Sequence, residues 1–175
     1  IRGVLPLPRF LALNRLKRRQ RGGFVRGDGV NEKSRDHADR TYLAALDRMQ
    51  AILVQRPFLL GNAPTIADFG MMAPMFRHFG QDPTPAEIMR ERAPAVYEWV
   101  ARMWNARPGL DDPQLIGRID APLEAFLIEI SETHLVQLRE NARAFGKGRT
   151  RYDLTLQDCT YEKVPVSRYR VWCLE

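Results

Sequence analysis

The clearest capacity for chemistry lies in a cluster of cations near the amino end of the chain. Five basic residues fall within seven positions: Arg15, Lys17, Arg18, Arg19 and Arg21. Guanidinium and ammonium groups bind carboxylates and phosphates, so the run is suited to attract an anionic ligand. A solvated helix face is the simpler interpretation, and nucleic acid is a third. We expect no specific nucleic-acid partner, because the aromatic residues are not interleaved with the charges.

Histidine and cysteine, the other common ligands and nucleophiles, are few and scattered. His37, His78 and His134 lie far apart, and no spacing of His, Cys, Asp or Glu matches a metal site, so we expect no metal. Each histidine is expected at the surface or in a hydrogen bond. Cys159 and Cys173 form neither a Cys-x-x-Cys pair nor a disulfide framework. This usage fits a reducing compartment and predicts a cytoplasmic protein.

The segment Phe58–Gly70 predicts a turn followed by a capped helix start. Gly61 and Asn62 are suited to the positive φ of a turn. Thr65 then stands at the N-cap with Asp68 three residues later, the spacing of a capping box. In that motif each side chain bonds the other residue's backbone N–H. We therefore assign Thr65 and Asp68 a structural role.

The longer string RPFLLGNAPTIADF, residues 56–69, is more specific than a capping box alone. It resembles the C-terminal, all-helical domain of the glutathione transferase family, whose members use this Thr/Ser and Asp pair to cap a helix needed for folding. The resemblance runs from about Asp36 to Pro108 and includes Trp99–Pro108. Asn62 stands where the family often has Asp, and nothing in the chain resembles the family's thioredoxin-like N-terminal domain.

The resemblance implies that this chain is the electrophile-pocket side of a glutathione transferase-like protein. Glutathione, the co-substrate, would be bound mainly by the thioredoxin-like domain, so the isolated chain is not expected to be catalytic. The pocket wall for a small hydrophobic electrophile would include Arg15 as a polar anchor and Tyr42 and Trp172 as apolar walls. A homodimer is a further implication. The alternative is a non-catalytic protein–protein interaction module of the same fold.

Length and composition predict one domain, and the first residue suggests a fragment. The chain has 175 residues, 45% of them hydrophobic, and it opens at Ile1 without an initiator Met, so we expect a fragment. Its net charge is +6, yet eight basic and no acidic residues precede Asp28, so the positive charge is local.

No apolar run approaches the ~20 residues of a membrane span, and no membrane partner is expected. The segment Ile1–Leu13 is a poor signal peptide, with a truncated mitochondrial presequence as the less favoured reading.

Helix signals and their stops predict a mainly α-helical bundle. Residues 1–9 are expected to be an interdomain linker, residues 10–148 the helical domain and residues 149–175 a C-terminal arm. Predicted helices run from Phe10 to before Gly22, over Asp36–Gln55, from Thr65 through a kink at Pro74, over Thr84–Arg92, over Pro94–Pro108, and from Asp120 to a stop at Gly146.

The arm has a different pattern, in which apolar residues alternate with polar ones. Tyr152, Leu154 and Leu156 follow a period of two, which predicts a strand. A second apolar run predicts the return strand, with Pro165 restricting it to an edge. Its members are Val164, Val166, Tyr169, Val171 and Trp172. We therefore expect an extended arm or a β-hairpin turning between Gln157 and Tyr161.

Overall fold

A computed structural model describes residues 8–107 and 112–174, and these form two compact units. The central unit is Arg40–Glu129, and the terminal unit combines Ile1–Asp39 with Ile130–Glu175. The predicted fold class is confirmed, because the described residues are mainly helical and end in a two-stranded antiparallel hairpin. The division into linker, helical domain and arm stays a prediction. Pro108, where one predicted helix ends, lies outside the described residues.

The described elements follow one another in this order: α1 (Arg9–Arg18) with a π-helical extension (Arg19–Val25), α2 (Arg35–Leu53), α3 (Ile66–Pro74) with a π-helical extension (Met75–Phe79), α4 (Pro83–Arg92), α5 (Pro94–Trp104), α6 (Ala121–Glu132), α7 (His134–Gly146), β1 (Arg151–Leu156), β2 (Cys159–Pro165) and α8 (Arg168–Trp172).

The core of the central unit is built from one face of each long helix. In α2, Leu46, Met49 and Leu53 are buried at helical spacing, as their period predicts. In α5, Trp99 has no exposed surface, and its neighbours on the same face complete the packing. Those neighbours are Val96, Val100 and Met103. The core thus surrounds the indole of Trp99, which carries a polar N–H that needs a partner.

One kink and one helix start in the central unit differ from the sequence prediction. The kink expected at Pro74 is a change of helix type, since the chain continues beyond it as a π-helix to Phe79. A proline removes one N–H from the helical hydrogen bonds, and the wider π-helical turns accommodate the loss.

Helix α4 begins at Pro83, with Asp82 rather than Thr84 at the N-cap. The Ala86 N–H donates to the Asp82 carbonyl over 3.0 Å, so the first turn closes two residues earlier than expected.

In the terminal unit, the helix predicted to stop before Gly22 continues through both glycines. It passes into π-helix at Arg19 and ends at Val25. Glycine is permissive but does not by itself terminate a helix. The reversal occurs instead at Gly29, where φ is +87° and a Cβ would come within 2.9 Å of the Val164 side chain.

The single long helix predicted from Asp120 to Gly146 is wrong, because Thr133 separates α6 from α7. Thr133 has φ −115° and ψ −77°, outside regular helix. Gly148, with φ +64°, replaces Gly146 as the left-handed residue after α7. The Gly148 N–H donates to Phe145 and the Arg149 N–H to Ala144, over 2.9 and 3.0 Å, which is the Schellman pattern.

The C-terminal arm is a hairpin packed on its own small core. Strands β1 and β2 pair antiparallel from Leu156 opposite Cys159 to Arg151 opposite Pro165, with a bulge near Asp153. The inward side chains are buried together with Ala144 of α7: Tyr152, Leu154, Tyr161 and Val164. The strand expected from Tyr169 to Trp172 is instead helix α8.

The chain leaves the hairpin for α8 at a buried amide. Asn141, which has no exposed surface, accepts from the Ser167 N–H over 2.8 Å and donates to the Ser167 carbonyl over 2.9 Å. These two bonds take the backbone groups that a further strand residue would use for pairing. The β-propensity of the following residues is therefore overridden by a tertiary contact.

In the central unit, a charged pair joins the α2–α3 loop to the start of α6. The Arg56 guanidinium bonds both oxygens of Asp120, which also accepts the Leu123 N–H over 3.1 Å. The Arg56 hydrogen bond holds the pKa of Asp120 below its usual range. The pair therefore favours the ionised carboxylate in the folded state.

This pair predicts acid-sensitive stability. Because the folded-state pKa of Asp120 is lowered, its contribution is complete above the ordinary carboxyl value of about 3.9 and is lost as pH falls through the folded value. We expect Asp120→Asn to lower Tm at pH 7, and the gap from wild type to narrow below about pH 4. Asp47→Asn, at an exposed pair with Arg92, is the control and should shift Tm less. A gap of constant size down to pH 3 would contradict this prediction.

Candidate functional site

The predicted capping box is present at the start of α3, and its carboxylate has a larger role than capping. Asp68 has no exposed surface, and each of its oxygens accepts two hydrogen bonds. Oδ2 accepts from the Thr65 N–H over 2.9 Å and from the Thr65 hydroxyl over 2.8 Å. Oδ1 accepts from the Leu59 N–H over 2.8 Å and from the Trp99 indole N–H over 3.0 Å. One side chain thus joins the loop, α3 and α5.

Arg15 lies in the terminal unit, on the exposed surface of α1. It lines an open depression of about 880 Å³ together with further cations of the same helical segment. The charged members of the lining are Arg15, Lys17, Arg18 and Arg26. No acidic residue of the described chain lines it with them. The depression is therefore chemically suited to carboxylate or phosphate groups.

Tyr42 lies in the central unit, where its side chain already has partners. Its ring stacks on Phe79 with centroids 4.2 Å apart, and its hydroxyl donates to the Pro85 carbonyl over 2.9 Å. Burial raises the pKa of the Tyr42 phenol. These contacts hold α2 against the π-helical turn and α4, so Tyr42 has a structural role besides any contact with substrate.

Trp172 lies on α8 in the terminal unit and is 59% exposed. The Arg168 guanidinium stands 5.3 Å from its ring centroid, within cation–π range. No hydrogen bond, ion pair or ring contact joins Trp172 to Arg15 among the described residues. The sequence-predicted substrate contacts are thus an exposed cation and an exposed tryptophan in the terminal unit and a stacked tyrosine in the central unit.

The comparison with protein families assigns the segment that contains the capping box. Residues 32–102 match the family model described as glutathione S-transferase, C-terminal domain. This segment is a glutathione S-transferase C-terminal domain. The match confirms the resemblance drawn from residues 36–108 to within a few positions at each end. No curated protein and no solved structure matches the chain.

The glutathione S-transferase C-terminal domain contains some of the predicted site residues and not others. Tyr42, Thr65 and Asp68 fall within residues 32–102, whereas Arg15 and Trp172 fall outside. The capping box therefore lies inside the matched segment. The roles of the outer two residues remain predictions.

His37 is a buried polar residue whose partners were not predicted. It is 3% exposed, its Nδ1 lies 2.8 Å from the Tyr161 hydroxyl, and its Nε2 lies 3.0 Å from Gln157 Oε1. The Gln157 amide in turn donates to Glu132 over 3.2 Å. This network ties the first turn of α2 to the hairpin and confirms the expectation of a hydrogen-bonded histidine. No local signal could reveal it, because Tyr161 is 124 positions away.

Neither a cluster of metal ligands nor a membrane-spanning helix occurs among the described residues. No group of three or more His, Cys, Asp or Glu side chains there could hold a metal ion. None of the described helices combines the length and apolar character that crossing a bilayer requires.

Proposed function

We propose that this chain is the electrophile-side domain of a glutathione S-transferase-like enzyme, with the glutathione site on a separate thioredoxin-like domain. The observation that carries the proposal is the family segment at residues 32–102, with its buried capping box. In this reaction the glutathione thiolate sulfur attacks an electrophilic carbon, and the leaving group departs with the electron pair of the bond that breaks. Because the thiolate is the attacking species, the separate domain would lower the pKa of the glutathione thiol.

The cationic depression supports a role for Arg15 as a polar anchor. Glutathione carries two carboxylates, and Arg15 lies among cations in a depression that no acidic side chain of the described residues lines. A guanidinium can bind a carboxylate through two parallel hydrogen bonds. Trp172 and Tyr42 are the proposed apolar contacts with the electrophile. Trp172 is the cleaner probe, because Tyr42 also supports the fold through Phe79.

The test uses the product of the complete reading frame and measures conjugation of glutathione to an aryl halide. Arg15→Gln should raise the KM for glutathione by about tenfold or more, since a hydrogen bond to a charged group contributes about 1.5–3 kcal/mol. Trp172→Ala should raise the KM for the halide only. Arg48→Gln, an exposed cation of the central unit, is the matched control and should change neither constant.

An absence of turnover and of glutathione binding in the complete product would contradict the enzyme proposal. The second candidate, a non-catalytic interaction module, is favoured by one observation. Helix α3 exposes Ile66 (90%) and Phe69 (57%), and Trp104, whose ring stacks on Phe76, is 64% exposed. Exposed apolar side chains that lie together often mark a protein-interaction surface.

A further inference from the structure

One face of α1 combines an apolar end with a basic end. Two rows at the spacing i, i+4, i+7 run along this face: Phe10, Asn14 and Lys17, and beside them Leu11, Arg15 and Arg18. All six residues are exposed, whereas Ala12 on the opposite side is 3% exposed. We call this six-residue surface the basic face. It presents two large apolar side chains at one end and three cations at the other.

The cations of the basic face are not neutralised within the described part of the chain. Arg15, Lys17 and Arg18 form no ion pair there, and no acidic residue precedes Asp28 in the sequence. The positive potential of three neighbouring cations is therefore available to an external anion. A single small anion in the depression would not use Phe10, which is 64% exposed and does not line it.

We propose that the basic face is a peripheral membrane-contact surface, which binds anionic lipid headgroups through Arg15, Lys17 and Arg18 and inserts Phe10 and Leu11 at the acyl boundary. Helices that lie in a membrane interface combine Lys and Arg with Phe and Leu in this way. The long stems of Lys and Arg let their charges reach the headgroups while the helix lies deeper. Each such cation near an anionic leaflet contributes about 1 kcal/mol.

The apolar end distinguishes lipid from nucleic acid as the partner. A phosphate backbone would engage the cations alone, because leucine offers no surface for base stacking and Phe10 is the only described aromatic on this face. The expectation of no membrane partner rested on the lack of a spanning segment, and a peripheral contact does not require one. Arg15 is also the proposed anchor for glutathione, so the lipid test varies only Lys17, Arg18 and Phe10, and its failure is distinguishable from a failure of turnover.

The test is co-sedimentation of the full chain with phosphatidylcholine vesicles, with and without phosphatidylserine, at low salt. Wild type should bind only vesicles that contain phosphatidylserine, and raised salt should weaken binding. Lys17→Gln with Arg18→Gln should lower the partition coefficient by about 30-fold, the equivalent of two cations. Phe10→Ser should lower it by about tenfold or more, since a buried phenyl ring contributes about 1.5–3 kcal/mol. Arg48→Gln with Arg77→Gln, an equal loss of charge in the central unit, is the matched control and should bind as wild type.

Three results would overturn the proposal. The first is no binding by wild type to phosphatidylserine vesicles. The second is an equal loss in the control pair, which would mean that only net charge matters. The third is a Phe10→Ser variant that binds as wild type while polyuridylate displaces the protein from vesicles, which would assign the surface to nucleic acid. Circular dichroism of each variant checks folding, and no change is expected because every substituted position is exposed.

Discussion

Replacing Asp68 by Asn should lower the free energy of unfolding by about 2–4 kcal/mol, although the two side chains have nearly the same shape. Both carboxylate oxygens accept two donors in a site with no exposed surface. An asparagine keeps one oxygen and presents an NH₂ group to the other two donors. If the NH₂ group faces Leu59 and Trp99, two buried N–H groups lose their acceptor; if it faces Thr65, the backbone N–H loses its acceptor while the hydroxyl can turn to accept. Each lost bond costs about 1–3 kcal/mol. Urea unfolding followed by circular dichroism measures the difference.

Two further variants separate this network from a general effect of losing an acid. Asp82→Asn changes the N-cap of α4, where the side chain makes no capping bond, and should alter stability by less than about 0.5 kcal/mol. Trp99→Phe combined with Asp68→Asn should cost less than the sum of the two single changes, because both remove the hydrogen bond between these side chains. An Asp68→Asn protein as stable as wild type would refute the assignment of Asp68 as the shared acceptor of loop, α3 and α5.

The sequence predicted the parts of this fold that local chemistry decides. The capping box needs only Thr65 and Asp68 at the right spacing, and α2 needs only its periodic apolar face, so both were found. The Asp68 contact with Trp99 was not predictable, because it depends on how α5 packs 31 positions later. The stability effect of a simple cap, about 1 kcal/mol, therefore understates what Asp68 does.

The predictions that failed did so where tertiary contacts override a local preference. Residues 169–172 favour strand by composition, but Asn141 holds the preceding Ser167 through both of its backbone groups and the chain turns into α8. Gly22 looks like a helix stop, yet the helix continues to Val25. The candidate site residues show the same dependence on tertiary contacts. Exposure and charge at Arg15 follow from sequence, whereas the stacking of Tyr42 on Phe79 does not.

A second large effect is expected at Gly61, in the turn that precedes the capping box. Gly61 is buried with φ +153°, and its backbone bridges to Leu115 of the segment before α6. The neighbouring Asn62 fixes the same approach, since its N–H donates to the Gln114 carbonyl over 3.1 Å and its Oδ1 accepts the Gln114 N–H over 2.7 Å. The two backbones are therefore too close for any side chain between them.

Gly61→Ala should lower the free energy of unfolding by about 2–4 kcal/mol, combining steric overlap with backbone strain. The added Cβ would overlap the Gln114 carbonyl oxygen and lie 3.0 Å from the Leu115 Cα, and backbone cannot move aside as a flexible side chain can. Gly70→Ala is the matched control, because nothing lies within 4 Å of its Cβ position and alanine favours helix by up to about 1 kcal/mol. Urea unfolding of the two variants should shift in opposite directions. If Gly61→Ala were as stable as Gly70→Ala, the close approach of this turn to residues 114–115 would not exist in solution.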